Sequence, residues 1–490
     1  MREIKLPPHA SSLIQSMRDI GYSLETAIAD LIDNSITANS DNVFIFFDIS
    51  TLPDSSVVII DDGHGMDESE LLEAMRPGSR NPRERREEND LGRFGLGLKT
   101  ASFSQCKSLT VVSRKNGDVF GARWDLDLIS SRNEWIVTTL TGEELINLPF
   151  IDDLPSQGTY VLWQKLDRLL ASNSYNLKEQ VYDKFSVVEK HLALVFHRYL
   201  GGNFKKRRFN IWINGGSVEA FDPFCLSNKA TQALHQEVVR IDGHEIHIQP
   251  YVLPHHSKLS KKEYEFYRTR SDFLSNQGAY IYRNGRLMAW GDWFRLVPKG
   301  EATKLARVQI DFPNVLDEHW TIDIKKSRAQ PPPEVRDKLK QVIDRIAEKS
   351  QRVHVGRGDR LFEQEEYPLW VRYPERTGIR YAVNREHPLI TSLLDALNED
   401  VESAFETVLS VIERAIPLEA IYADYASKPQ EFVDKEAITH DELKLRVQSL
   451  YVLVTTSSSM DKDAFIRMIS GLKPFSEHMD ATLKILEELA

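Results

Sequence analysis

In ETAIADLIDNSITA, Asp30, Asp33, Asn34 and Thr37 recur at spacings of three and four, which in a helix brings their side chains to one face. Asn34 offers a neutral amide oxygen suited to magnesium, an ion that keeps several waters and takes other ligands from phosphates. Asp30, one turn earlier, can orient and deprotonate an attacking water. Asp33 is a second candidate base, read more simply as a neighbour that orients Asn34. In VVIIDDGHGMD an apolar run delivers Asp61 into a turn, where Gly63 and Gly65 permit close backbone approach to a ligand. A carboxylate there can accept a hydrogen bond from an exocyclic amine such as that of adenine. In LGRFGLGLKTAS, Gly92, Gly95 and Gly97 lead into a helix starting near Leu98. Its backbone N–H groups and positive end would face an anion, with Lys99 as mobile positive charge. Each stretch alone has a plain reading: a solvated helix face, an Asx turn, a glycine-rich loop. The last is neither a dinucleotide fingerprint, lacking the preceding strand and later acid, nor a P-loop, since G-x-x-x-x-G-K-[ST] is absent.

The elements around these residues follow from periodicity. Apolar residues at helical spacing predict a helix from Ser12 to Ala38, ending at the polar TANSDN stretch. VFIFFDIS and SSVVIIDDG read as strands, and PGSRNPRERREENDLGRFG as a long loop of functional kind. After the GLKTASF helix come strands at SLTVVSR, VFGARWDL and GTYVLWQKL, closing a first α/β domain near residue 170. Between residues 178 and 200, Val181, Phe185, Val188, Leu192, Val195, Phe196 and Tyr199 form one helical stripe. Strand pairs with Asn-Gly turns follow in FNIWINGGSVEAF and GAYIYRNGRLMAW. Pro331 to Pro333 stop the strand WTIDIKKS and precede a helix near Glu334. Residues 387–490 carry helical patterns with acidic surfaces.

The whole chain bounds the rest. With 490 residues, two or three domains are expected. No apolar run is long enough for a membrane span, and the N-terminus has no export signal, so a cytoplasmic location is expected. Cys106 and Cys225 are 119 positions apart and fit neither a disulfide framework nor a four-ligand zinc site. A net charge of -11 excludes general coating of nucleic acid and leaves only local patches. One such patch is the run of Lys205, Lys206, Arg207 and Arg208, equally readable as a solvated loop. His244, His247, His255 and His256 have no carboxylate or thiol spacing to complete a metal site.

In order and spacing, the Asp30–Asn34 helix, DDGHG, GRFGLG and QGTYVLW together resemble the four-part signature of the GHKL ATPases: gyrase, MutL, the ninety-kilodalton heat-shock chaperones, histidine kinases and MORC-type proteins. The organisation is most similar to MORC-type and MutL-like bacterial ATPases. The resemblance implies an α+β chain: a Bergerat-type two-layer sandwich over residues 1–170, a ribosomal-S5-like transducer over 171–345, and a mainly helical region over 346–490 for docking or dimerisation. It implies ATP and Mg2+ as ligands, with Asn34 as the metal ligand and Asp30 in the general-base position. Asp61 becomes the adenine-binding carboxylate, supported by Thr159 through a shared water, and Gly63, Gly65 and Met66 shape the adenine pocket. Gly92, Arg93, Phe94, Gly95, Leu96, Gly97, Leu98 and Lys99 wrap the phosphates, and residues from 76 to about 97 include the ATP lid. The late Lys325–Lys326 pair stands where the transducer sends a lysine to the γ-phosphate. Strand alternation selects Lys326, which shares parity with Ile322 and Ile324; two solvated lysines at a strand end is the plain alternative.

One departure bears on rate. Hydrolytic members usually carry Glu where this chain has Asp30, so slow hydrolysis is expected. The resemblance further implies an ATP-dependent homodimer acting as a clamp, duplex DNA as a partner through local basic patches, protein partners through the C-terminal region, and genome or anti-phage defence as a setting. A protein-client remodeller and a pseudo-ATPase holding ATP as a structural ligand are the alternatives. A histidine kinase would need a phosphoacceptor helix ahead of the Asp30 helix.

Overall fold

The computed structural model describes residues 3, 8–48, 55–78, 91–92, 97–169, 177–202, 204, 209–254, 258–270, 276–300, 303–323, 326, 329–346, 368–375, 378–418, 421, 438–457, 461–472 and 475–488. They fall into two compact units, Met1–Gln351 and Arg352–Ala490. In the first, eight strands form one sheet: β1 (Asn42–Asp48), β2 (Ser56–Asp61), β3 (Ser108–Lys115), β4 (Asp118–Asp125), β5 (Thr138–Leu140), β6 (Gly158–Gln164), β7 (Asn210–Ile213) and β8 (Gly216–Ser217). Their order is β5-β4-β3-β6-β2-β1-β7-β8, antiparallel except for the β1–β7 pair. The sheet therefore runs past residue 170, where the sequence placed the end of the first domain. The apolar strand at Asn210–Ile213 finds its partner in β1, which local pattern could not reveal.

Residues paired across an antiparallel ladder share a face. Val58, Ile60, Val112, Tyr160 and Leu162 lie on one face, over a core closed by Leu148 and Leu154. The opposite parity places Asp61, Thr159 and Ser113 side by side in one row of the other face. The helices up to residue 200 are α1 (Ala10–Arg18), α2 (Leu24–Thr37), α3 (Glu68–Met75), α4 (Gly97–Phe103), α5 (Leu126–Arg132), α6 (Glu143–Ile146), α7 (Leu177–Val195) and α8 (His197–Leu200); α2 and α7 lie on the second face through Ser35–Asp61 and the stacked Phe47–Phe185 rings, and Leu145 of α6 packs on the first. The single helix expected from Ser12 to Ala38 is two, broken at Gly21, whose φ of 79° belongs to the left-handed region. The stripe predicted for residues 178–200 is buried throughout α7 and α8.

The second sheet of this unit contains β9 (Gln232–Ala233), β10 (Glu237–Ile241), β11 (His244–Val252), β12 (Gly278–Arg283), β13 (Arg286–Asp292) and β14 (Ala306–Phe312), in the order β10-β11-β14-β12-β13 with β9 against β11. Both Asn-Gly turns form as expected, with Asn214 and Gly215, and Asn284 and Gly285, all at positive φ. The predicted strand WTIDIKKS shortens to β15 (Thr321–Ile322), paired with β16 (Ala329–Gln330). A helix follows at residues 333–346, starting on a proline that fits a first helical turn.

In the second unit, α-helices Pro388–Ala396, Glu399–Arg414, His440–Ser457, Lys462–Ser470 and Met479–Glu488 dominate. Its core includes Leu443, Val447, Phe465, Met468 and Ile485. A hairpin of β17 (Trp370–Glu375) and β18 (Gly378–Val383) precedes them, an element the helical reading of this region omitted. Among the described residues no helix is long and apolar enough to cross a membrane.

Candidate functional site

The site grows from the row Asp61–Thr159–Ser113. The Asp61 carboxylate accepts from Ser35 Oγ at 2.9 Å and from its own turn at Gly63 N, 3.0 Å. Burial pushes its pKa up to about 6, against the hydrogen bonds from Gly63, Ser35 and Thr159. Ser113 Oγ donates to Gly158 O at 3.0 Å, accepts from Met66 N at 2.8 Å and lies 3.3 Å from Thr159 Oγ1. Carboxylate, two hydroxyls and the Met66 backbone thus line one polar patch in an apolar wall. Two glycines are sterically required around it. A Cβ on Gly65, at φ +65°, would stand 2.1 Å from Arg114 O, and one on Gly158 would stand 2.0 Å from Asp61 O. A Cβ on Gly63 would meet Ala38 at 2.8 Å. Asp62 turns away to tie down the α2–β1 turn, accepting from Ser40 Oγ, Asp41 N and both nitrogens of Asn42.

One helical turn from Ser35 lies a cluster of buried charge. Asp30 and Asp33 on α2 face Arg286 from β13 and Lys326 from the β15–β16 loop. Lys326 Nζ donates to Asp33 Oδ2 at 2.5 Å and is 3.2 Å from Asp30 Oδ1. Arg286 Nε donates to Asp33 Oδ1 at 2.9 Å, with Nη2 4.0 Å from Asp30 Oδ1. Tyr22 Oη donates to Asp30 Oδ2 at 2.9 Å. Two carboxylates and two cations balance formally. Burial still holds Asp30 above the usual carboxylate range, with Lys326 opposing that shift and Asp33 adding to it. Asp30 is thus a buried carboxylate held between the Tyr22 hydroxyl and the Lys326 ammonium.

Beside it, α4 begins at Gly97, where among the described residues a Cβ would come to 3.6 Å from Asp30 Oδ2. Asn34 is exposed next to buried Asp33; its amide suits a magnesium ion completed by waters and phosphate oxygens. No group of three or more His, Cys, Asp or Glu among the described residues could hold a metal by itself.

Several sequence expectations change here. Asp30, Asp33 and Asn34 do not form one uniform face: Asp33 is turned into the charge cluster while Asn34 faces out. Lys326 does point inward, but not by strand alternation, since it follows a turn closed by Lys326 N to Asp323 O and has a φ of 53°. Lys99, expected as a mobile positive charge, is held in place. It is buried, donates to Ala74 O at 2.8 Å at the end of α3, and burial brings its pKa down to about 8. An unsatisfied carbonyl at a helix C-terminus competes for that ammonium. Gly92 and Leu98 flank the glycine run; Arg93, Phe94, Gly95 and Leu96 lie outside the described residues, as do Lys325, residues 79–90 of the expected lid, the 205–208 basic run, and His255 and His256. Cys106 and Cys225 are both buried and unbridged.

Sequence reasoning missed Tyr22, Ser35, Ser113 and Arg286. Ser35 and Ser113 carried a faint signal as hydroxyls in apolar runs. Arg286 carried none, because its partner is 253 positions away.

Residues 22–156 match the family described as Histidine kinase-, DNA gyrase B-, and HSP90-like ATPase. Residues 22–156 are a GHKL ATPase domain. A domain of this family supports ATP binding and ATPase-type activity. The matched span contains Asp30, Asn34, Asp61 and α4, but neither Thr159 nor Arg286 and Lys326, which the fold brings to the GHKL domain from outside it. A solved structure described as the crystal structure of the N terminal domain of a DNA repair protein is similar at 16% identity and a TM-score of 0.43, over 70% of this chain and 99% of that one. No curated protein matches the chain.

Proposed function

We propose that this chain binds ATP with Mg2+ in the pocket between α2, β2 and α4, hydrolyses it slowly, and uses ATP binding to close a dimer in a DNA transaction. The observation that carries the reading is Lys326, which arrives from beyond the GHKL domain to lie 3.2 Å from Asp30. In this reading Asp61 accepts from the adenine amine, with Thr159, Gly63, Gly65 and Met66 shaping that end of the pocket. Asn34 ligates magnesium, and Mg2+ supplies charge neutralisation of the phosphates. Asp30 takes the proton of the attacking water. Lys326 moves from its carboxylates to the γ-phosphate, which links nucleotide state to the second sheet, a two-state element biased by ligand.

The pairing of Asp30 with Lys326 and Tyr22 also favours a second reading, a pseudo-ATPase. A short base already engaged by a cation and a phenol is poorly free to take a proton. ADP formation distinguishes them: an Asp30-dependent rate supports hydrolysis, and tight ATP binding without turnover supports the second reading. For the larger role, oligomeric state is measured with ADP, ATP and a non-hydrolysable analogue. A monomer in all three refutes the clamp. DNA-stimulated turnover, with binding that weakens as salt rises, supports the DNA role and a setting in genome or anti-phage defence; its absence turns the reading to a chaperone-like remodeller of a protein client.

A further inference from the structure

The turn joining β12 and β13 sends two buried arginines in different directions. Before the turn, Arg283 forms a two-pronged ion pair with Asp317, both contacts 2.7 Å, and its Nη1 donates to Leu91 O at 3.1 Å. After it, Arg286 grips Asp33. The turn itself has little slack. Tyr199 Oη donates to Asn284 O at 2.6 Å, and a Cβ on Gly285 would stand 2.6 Å from the Phe204 ring. Arg286 also donates Nη1 to Leu287 O at 3.0 Å, so its guanidinium is fixed from its own strand. The second sheet therefore holds α2 at Asp33 and the chain entering the glycine run at Leu91, through one rigid hairpin.

We infer that Arg286 is a positioning residue of the ATPase site, holding Asp33 so that Lys326 can leave for the nucleotide without stranding a buried carboxylate. The inference rests on the ATPase reading. In the nucleotide-free arrangement Asp33 has two cations, Arg286 and Lys326. A buried carboxylate stripped of its partner is strongly unfavourable, so with one cation only, Asp33 would retain Lys326. With Arg286 in place, Asp33 stays paired after Lys326 departs. Arg286 makes this contribution through Asp33, while the Asp61 carboxylate is held separately by Ser35 and Gly63.

The test uses the full chain with Mg-ATP, comparing Arg286→Met, Arg286→Lys, Asp33→Asn and the Arg286→Met/Asp33→Asn double variant. Steady-state kcat and the Kd for ADP, which lacks the γ-phosphate, are both measured. Arg286→Met lowers kcat on the order of 10- to 100-fold while ADP affinity stays within about threefold. Arg286→Lys restores part of the loss, and in the Asp33→Asn background Arg286→Met has little further effect, because the two act as one unit. A kcat within about threefold of wild type, an equal loss of ADP affinity, or additive effects of the two substitutions overturns the inference. If Arg286→Met does not fold, the double variant, which removes both charges together, carries the test against Asp33→Asn alone: matching kcat with intact ADP binding supports the inference, and a kcat at least about tenfold lower in the double variant overturns it. A wild-type chain that forms no ADP removes the ATPase reading itself, whereas an active wild type with unaffected Arg286→Met removes only this inference.

Discussion

Asp61→Asn should make the protein more stable and nearly unable to bind adenine nucleotides. Burial holds the Asp61 carboxyl at a pKa of about 6 instead of 3.8, so keeping it ionised at pH 7 costs about 3 kcal/mol. Asparagine removes the charge and keeps an oxygen for Gly63 N–H, and the Ser35 hydroxyl can turn to accept from the new amide. The nucleotide-free protein then gains on the order of 1–2 kcal/mol, visible as a Tm higher by a few degrees. For the adenine amine the exchange is adverse. It forfeits a charge-assisted bond and leaves two donors facing each other, about 3–4 kcal/mol together, or on the order of 10²- to 10³-fold in Kd. The sign of the pH dependence follows from the same shift. The folded state holds the extra proton between pH about 4 and about 6, so this group's contribution to stability is lost as pH rises through that window. Nucleotide affinity rises over the same window, because only the ionised form accepts the amine. Titration calorimetry at pH 5 and 7.5, with thermal unfolding of both proteins, measures each part. An asparagine variant that binds ATP within threefold of wild type, with affinity flat across this pH range, refutes Asp61 as the recognition group.

Further predictions test the surrounding geometry. Gly65→Ala forces a Cβ into Arg114 O from a left-handed backbone, and costs more than about 2 kcal/mol by chemical unfolding; a loss below 0.5 kcal/mol would show that the turn is loose. Lys99→Met changes stability by less than about 1 kcal/mol at pH 7, since relief from burying the ammonium offsets the lost bond to Ala74 O. Its depressed pKa also means the folded state binds fewer protons than the unfolded between pH about 8 and 10.5, so this group's contribution rises with pH there and vanishes in the variant. Arg283→Ala leaves Asp317 without its ion pair and destabilises by about 3 kcal/mol, measured by denaturant midpoint; a change under 1 kcal/mol contradicts the hairpin's part in joining the sheets.

What could be read from the sequence was local. Runs such as VVIID and the two Asn-Gly turns fix strands and hairpins because their signals lie within a few residues. Asp61, Gly63 and Gly65 were legible for the same reason, the strand, turn and ligand-facing carboxylate being contiguous. The orientation of α2 was not. Spacing groups Asp30, Asp33 and Asn34, yet a rotation of one residue decides which is buried, and that is set by Arg286 from another sheet. Lys326 was chosen by a periodicity that does not exist there; a turn at positive φ, not a strand, brings it in. Lys99 was assigned to phosphate because its neighbours are glycines, while the competing acceptor, Ala74 O, is 25 positions earlier.

The central claim is ATP hydrolysis at Asp30, and its most direct measurement is ADP formed per chain under saturating Mg-ATP by wild type and Asp30→Asn. Wild type should accumulate ADP slowly over many turnovers, and Asp30→Asn, isosteric in its buried seat beside Tyr22 and Lys326, should still bind ATP yet form at least about tenfold less. ADP formation at the wild-type rate by Asp30→Asn, or none by wild type with ATP bound, would contradict it.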